Sequence, residues 1–151
     1  MISAWQGQER ERIGEIALAA FPGLFTRERI EHTLNLPDAS WQELRCRSIE
    51  DFLDQAAQVF VFEEEGQIVG YIILMLSGQV GRIANLAVDP AFHKRGVGRA
   101  LLEYSLAYFR VQGVKLDRYE TNDESQVSQH LYPQLGFREA ARQIHYAMKL
   151  E

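Results

Sequence analysis

The chain has 151 residues, 46% of them hydrophobic and 25% charged, the proportions of an ordinary globular domain and not of a disordered or fibrous chain. At this length a folded domain buries roughly two thirds of the surface its unfolded form exposes, so a core can form without disulfides or structural metal. Sixteen Lys and Arg against twenty-one Asp and Glu leave a formal charge of −5, which argues against nonspecific nucleic-acid binding and confines any anion site to a local cluster.

The single cysteine, Cys46, cannot bridge internally, and no Cys/His cluster has zinc-ligand spacing, so the expectation is a reducing, cytoplasmic compartment and no metal. Met1 to Trp5 lacks the basic and apolar regions of a secretory signal. The longest apolar run, Ile68 to Leu76, is interrupted by Gly70 and too short to span a bilayer. Four single prolines and no linker or repeat place one domain over residues 1–151.

The first third reads as helix. Ile13, Ile16, Ala17 and Ala20 recur at helical spacing up to Phe21-Pro22-Gly23, and Thr26 can cap a second helix to about Leu36. A third opens with the capping box Ser40-Trp41-Gln42-Glu43 and extends, with a break, toward Gln58. Three strands follow, Val59 to Phe62, Ile68 to Leu76 and Ile83 to Val88, rich in branched and aromatic residues and separated by Glu65-Gly66 and Ser77-Gly78, which predicts an antiparallel meander. Helix period returns from Val97 to about Gln112, with Leu101, Leu102, Ser105, Leu106 and Phe109 on one stripe and Gly113 as a stop. Val114 to Thr121 is expected as a strand parallel to Ile83 to Val88, and Glu124 to Leu135 as a helix. Ile144, Tyr146, Met148 and Leu150 alternate with polar residues as a final half-buried strand.

Chemistry concentrates where the third strand of the meander meets the long helix. His93-Lys94-Arg95-Gly96-Val97-Gly98-Arg99 gathers cations and two glycines at a helix start, where unpaired N–H groups carry partial positive charge and a bulky anion can approach the backbone. Lys94, Arg95 and Arg99 oppose the helix dipole, a conflict that a bound phosphate removes. The competing reading is a solvated basic face with glycines that merely shape a turn. The dinucleotide fingerprint fails because its third glycine would fall at Leu101, and no Gly-Lys-Ser/Thr exists for a triphosphate loop.

This segment resembles the acetyl-CoA signature of the GCN5-related N-acetyltransferases, Gln/Arg-x-x-Gly-x-Gly/Ala, with His93 at the Gln/Arg position. Leu131-Tyr132-Pro133-Gln134-Leu135-Gly136-Phe137 is similar to the family's Tyr-x-x-x-Gly-Phe ending of the last helix. The resemblance covers about Val59 to Leu150. It implies a mixed α/β domain with a mostly antiparallel central sheet, one parallel crossover and helices on both faces. It also implies transfer of acetyl from acetyl-CoA to a primary amine of a small molecule or peptide.

Carried over by position, Leu86, Ala87 and Val88 would bond the pantetheine through their backbone, and His93, Lys94, Arg95, Gly96, Val97, Gly98 and Arg99 would hold the pyrophosphate. Tyr132 stands at the general-acid position, protonated at pH 7 with a reference pKa near 10. The alternative for Tyr132 is a packed core aromatic. The family's cofactor-contacting Asn has two counterparts, Ser125 seven residues before Tyr132 and Asn122 three earlier. The family's strand Glu is replaced by Ala84-Asn85, so Glu120, across the expected cleft, stands in as general base, against the plain reading of a solvated carboxylate. Neither nucleic acid nor membrane is an expected partner; a second copy of the chain is admitted. Two noncatalytic readings stay open, an acyl-CoA sensor and a nucleotide-binding module.

Overall fold

Branched and aromatic residues in the middle of the chain pair as strands, and helices cover the two faces of the resulting sheet, in a computed structural model that describes residues 1–21, 25–35, 40–121 and 126–151. The sheet has the order β1-β2-β3-β4-β5, with β1 at Ile2–Ala4, β2 at Gln58–Glu64, β3 at Gln67–Ser77, β4 at Val80–Val88 and β5 at Leu116–Tyr119. The first four are antiparallel neighbours and β4 runs parallel to β5, which is the expected meander and crossover. The short β1, in register with Phe60 to Phe62, had no signal in the sequence because three residues are too few for a period.

One face of the sheet carries α1 (Arg10–Ala20), α2 (Thr26–Thr33) and α3 (Trp41–Gln55). Ile13, Ile16 and Ala17 of α1 and Ile49 and Leu53 of α3 pack on Val59, Val61, Ile68, Tyr71 and Ile73. The opposite face carries α4 (Val97–Val111) and α5 (Gln126–Gln134), with Val97, Leu101, Leu102, Phe109 and Tyr132 against Phe60, Val69, Ile72, Leu74 and Ile83. Each fully buried aliphatic side chain contributes about 1.5–3 kcal/mol relative to exposure. Two glycines admit α4 this close: a Cβ at Gly81 would meet the Phe109 ring at 2.8 Å, and one at Gly70 would meet Val97 at 3.0 Å.

Three expectations are corrected. The third helix is unbroken through Gln55, held at its start by Ser40, whose Oγ accepts from the Glu43 N–H at 3.2 Å while Glu43 accepts from the Ser40 N–H. Thr26 is the first residue of α2 and Phe25 precedes it, with the Phe25 N–H satisfied by the Glu28 carboxylate at 3.2 Å. The final strand is absent. Residues 138–151 have no regular structure and all are exposed, because an alternating segment becomes a strand only beside an edge that takes its backbone hydrogen bonds. Among the described residues no helix is long and apolar enough to cross a membrane.

The helical face is clamped by a charge pair without solvent contact. Arg45 and Glu28 are both 0% exposed, and the guanidinium donates to both Glu28 oxygens, at 3.2 and 3.0 Å. It also donates to the carbonyls of Ala17 at 3.1 Å and Phe21 at 2.6 Å, and sits 4.1 Å from the Phe25 ring centroid. One side chain thereby ties α1, α2 and α3 together. Removing Glu28 leaves a buried cation short of its counter-charge, so Glu28→Ala should cost about 3–5 kcal/mol in urea unfolding. A loss below about 1 kcal/mol, the scale of an exposed pair, would contradict the clamp.

Candidate functional site

The site begins with an extra residue in β4. Leu74 of β3 opposes Ile83 and Ile73 opposes Asn85, so Ala84 is bulged out of the ladder. The bulge reverses which side chains face which helices: Gly81 and Ile83 face α4, whereas beyond it Leu86 and Val88 do. It also coincides with the end of the parallel ladder. The pairing of β4 with β5 stops at Ile83 and Tyr119, where β5 ends. Leu86, Ala87 and Val88 therefore lie where β4 has no β5 partner, and their backbone groups on that side can receive a ligand.

The chain then turns into α4. Asp89 shapes the turn: its N–H bonds the Val69 carbonyl at 2.8 Å, and its carboxylate accepts from the Ala91 N–H at 2.9 Å and from Arg12 of α1 at 2.6 Å. The Ala91 amide, then Arg12, hold the Asp89 carboxyl below its usual range. Lys94 and Gly96 both adopt left-handed backbone, with φ of 64° and 78°. Gly96 is the N-cap of α4 and offers no side-chain cap; the first backbone bond of the helix runs from Ala100 to Gly96, at 3.0 Å. The amides of Val97, Gly98 and Arg99 precede it and have no intrahelical acceptor. A Cβ at Gly98 would come only within 3.6 Å of Val88, an ordinary contact, so packing inside the chain does not require glycine there. The residues present thus fit a phosphate group.

The basic side chains around this start are exposed and lightly held. Arg95 lies 5.0 Å over Phe92 and 3.4 Å from Glu64, and Arg99 bonds Glu103 at 2.9 Å. His93 is turned back toward β4, its Nε2–H donating to the Val88 carbonyl at 2.9 Å.

The two residues expected to move protons sit differently from one another. Glu120 follows β5 and is held by Arg82, at 3.0 Å, and by Arg118. Burial would raise its pKa, but the two guanidinium contacts outweigh that and lower it, which weakens it as a base. Asn85, at the position of the missing Glu, is buried and accepts from the Tyr71 hydroxyl at 2.5 Å.

Tyr132 is in α5, which continues through Pro133 to Gln134. The proline does not break it because only one more residue follows, and Gly136 then closes the end at φ 99°. The Tyr132 ring stacks on Tyr119 at 3.9 Å and meets Phe137 edge-on at 5.1 Å. Among the described residues its buried hydroxyl meets no partner in hydrogen-bonding geometry, and burial, then Tyr119 and Asp117, push its pKa up. The phenol therefore stays protonated and is made a weaker acid, and its ring is part of the core. Asn122 and Ser125 lie outside the described residues.

Asp117 carried no signal in the sequence. Both its oxygens are buried, with no side-chain partner among the described residues, and burial pushes its pKa up to about 7, against a smaller pull from the nearby Arg118 N–H. A carboxyl titrating higher in the folded than in the unfolded state binds its proton more tightly when folded, so stability falls as pH rises from about 4 to 7. Asp117→Asn should flatten that decline and raise the melting temperature at pH 8 more than at pH 4. Equal melting shifts at both pH values would refute the buried acid. Among the described residues no group of three or more His, Cys, Asp or Glu could hold a metal ion.

Comparison with known proteins agrees with this geometry. The family model described as an acetyltransferase (GNAT) domain matches residues 55–139. A mycothiol acetyltransferase of Propionibacterium freudenreichii is 32% identical over 111 residues, covering 70% of this chain and 35% of the relative. The [ribosomal protein bS18]-alanine N-acetyltransferase of Escherichia coli K12 is 30% identical over 87 residues, 58% of this chain and 59% of that one. The chain thus spans about a third of the length of the first relative. The PaiA N-acetyltransferase of Thermoplasma acidophilum, solved in complex with coenzyme A, superposes with a TM-score of 0.72 at 15% identity over 91% of this chain and 89% of its own. The matched segment contains the bulged strand, the helix start and Tyr132 alike, and the chain belongs to the GNAT acetyltransferase family.

Proposed function

We propose that the chain is an acetyl-CoA-dependent N-acetyltransferase acting on a primary amine. The observation that carries the reading is the end of the β4–β5 ladder at the Ala84 bulge, followed by unpaired β4 backbone that leads to a glycine-flanked helix start with no side-chain cap. Leu86, Ala87 and Val88 offer backbone partners to the pantetheine, and the turn and helix start from His93 to Arg99 offer amides and cations to the pyrophosphate. Acetyl-CoA supplies the activated thioester that the amine attacks directly. Asn122 or Ser125 would add a cofactor contact. Release of free thiol on incubation with acetyl-CoA and a panel of amines tests the activity; no release with any amine would refute it.

The weakness of Glu120 as a base bears on the acceptor. An α-amine, with a reference pKa near 7.7–8.0, is partly neutral at physiological pH and needs little help, whereas a Lys-type amine needs a base. The relatives are named for mycothiol and for an alanine of a ribosomal protein, so the acceptor class stays open between small molecule and peptide. The lone thiol, Cys46, is exposed and fits a reducing cytoplasmic setting.

The packing of the Tyr132 hydroxyl favours one competing reading, a noncatalytic acyl-CoA sensor. Tyr132→Phe keeps the ring and removes the donor. As general acid, Tyr132 predicts a kcat loss of about 10²–10⁴-fold with little change in acetyl-CoA affinity. Unchanged kcat in a normally melting variant would remove Tyr132 from the chemistry.

Gly98→Val tests the helix start independently of turnover. A Cβ there makes only ordinary contact with the fold, but the ligand-facing amide becomes crowded. Losing one hydrogen bond to a charged group, about 1.5–3 kcal/mol, should weaken CoA binding roughly 10- to 150-fold by calorimetry, with little change in melting. Wild-type affinity in that variant would move the phosphate site elsewhere.

A further inference from the structure

Two polar groups between β5 and α5 are buried without a side-chain partner. Along β5, Leu116 and Arg118 are exposed while Asp117 and Tyr119 are half-buried, the alternation of a strand with one covered face. Gly81, the β4 partner of Asp117, faces the Phe109 ring of α4, which puts Asp117 and Tyr119 on the α4 and α5 side. Tyr119 stacks on Tyr132 of α5, and Asp117 is close enough that its charge raises the Tyr132 pKa. Among the described residues neither oxygen of Asp117 finds a side-chain partner, and the Tyr132 hydroxyl meets none in hydrogen-bonding geometry.

Burying a polar atom unpaired is unfavourable and rare in native folds, so two such groups side by side call for a common reason. The other polar groups nearby are already engaged. The Tyr119 hydroxyl shares a hydrogen bond with Ser128 Oγ at 2.9 Å, and exposed His130 of α5 bonds Gln134. From α4 this side receives the apolar Leu101, Leu102 and Phe109. Arg82 and Arg118 are turned to the opposite side, where both hold Glu120. Among the described residues the titratable groups facing Asp117 are therefore Tyr119 and Tyr132, and no cation steadies its charge.

We propose that Asp117 is a positioning residue for acetyl transfer, its protonated carboxyl donating a hydrogen bond to the Tyr132 hydroxyl oxygen, directly or through one water, and leaving the phenol hydrogen to the departing sulfur. The role rests on Tyr132 acting as the general acid. The amine nitrogen attacks the thioester carbon, the C–S bond breaks, and the sulfur keeps the bonding pair and takes the phenol proton. The amine releases its own proton to solvent, and the phenolate regains one from solvent. A donor aimed at the phenol oxygen stabilises that phenolate, which strengthens an acid that burial weakens. The ionised carboxylate does the reverse: it accepts the phenol hydrogen, draws it away from the sulfur, and disfavours the phenolate by its charge. With the Asp117 carboxyl titrating at about 7, the acid is available below neutral pH and withdrawn above it.

Two measurements test the pair, and the first does not depend on turnover. Carboxyl carbon NMR of aspartate-labelled protein gives the Asp117 titration midpoint, assigned by the signal lost in Asp117→Asn. Tyr132→Phe removes the hydroxyl that donates to the carboxylate, so the midpoint should rise in that variant; an unchanged midpoint would overturn the proposal. The second is thiol release from acetyl-CoA at saturating amine, alanine amide unless another of the panel turns over faster. Wild-type kcat should fall about tenfold per pH unit above the Asp117 midpoint, whereas Asp117→Asn, which keeps a donor and cannot ionise, should stay level over that range with normal melting. A wild-type kcat that does not fall, or a fall that persists in Asp117→Asn, would also overturn it. No thiol release with any amine would defeat the activity and this role together, and a midpoint that still moves in Tyr132→Phe would then locate the failure in the chemistry and not in the pair.

Discussion

The extra residue at Ala84 is the constraint on which the arrangement depends. β5 ends at Tyr119 while β4 runs on to Val88, and the bulge falls where the parallel ladder stops. With one residue inserted, the ladder to β5 ends at Ile83 and Tyr119, and Leu86 to Val88 reach the turn before α4 without a β5 partner. The same insertion turns Asn85 and Ala87 toward α1 and keeps Leu86 and Val88 toward α4. A single-residue irregularity therefore sets both the opening and its lining.

The remainder of the molecule holds that opening in place. Arg12 joins α1 to Asp89, the residue that shapes the turn into α4, and its Nε also donates to the Ile68 carbonyl at 2.9 Å. Because the Asp89 pKa is lowered by folding, this contact adds stability above the unfolded carboxylate range and loses it as pH falls through the lower folded value. Asp117 has the opposite dependence over a higher window. The two acids, one at the turn into α4 and one in the edge strand β5, push stability in opposite directions as pH changes. On the other face the Arg45–Glu28 pair joins the three helices that cover β2 and β3.

Much of this was legible in the residues. The helices came through because Ile13, Ile16 and Ala17, or Leu101, Leu102 and Phe109, repeat at a period that only one backbone geometry satisfies. The glycines and cations at 94–99 were legible because their types conflict with an ordinary helix start. The bulge was not, since Ala84 is chemically unremarkable and an insertion shows only when a partner strand is aligned beside it. Asp117 was hidden for a related reason: nothing in Lys115-Leu116-Asp117-Arg118 distinguishes a buried carboxyl from a solvated one. The segment 143–150 was read as a strand from its alternation, yet alternation specifies a face and not a neighbour. Glu120 was read from the sequence as a stand-in base, but Arg82 of β4 holds it together with Arg118 of β5, and the cross-strand partner shows only in three dimensions.

The central claim is that acetyl-CoA lies along the unpaired edge of β4 with its pyrophosphate on the start of α4. Amide chemical shifts followed by NMR during titration with acetyl-CoA test it most directly. The account predicts the largest shifts, saturating together, at Leu86, Ala87, Val88, Val97, Gly98 and Arg99. Saturable binding whose shifts leave those six amides unmoved and gather elsewhere would contradict it.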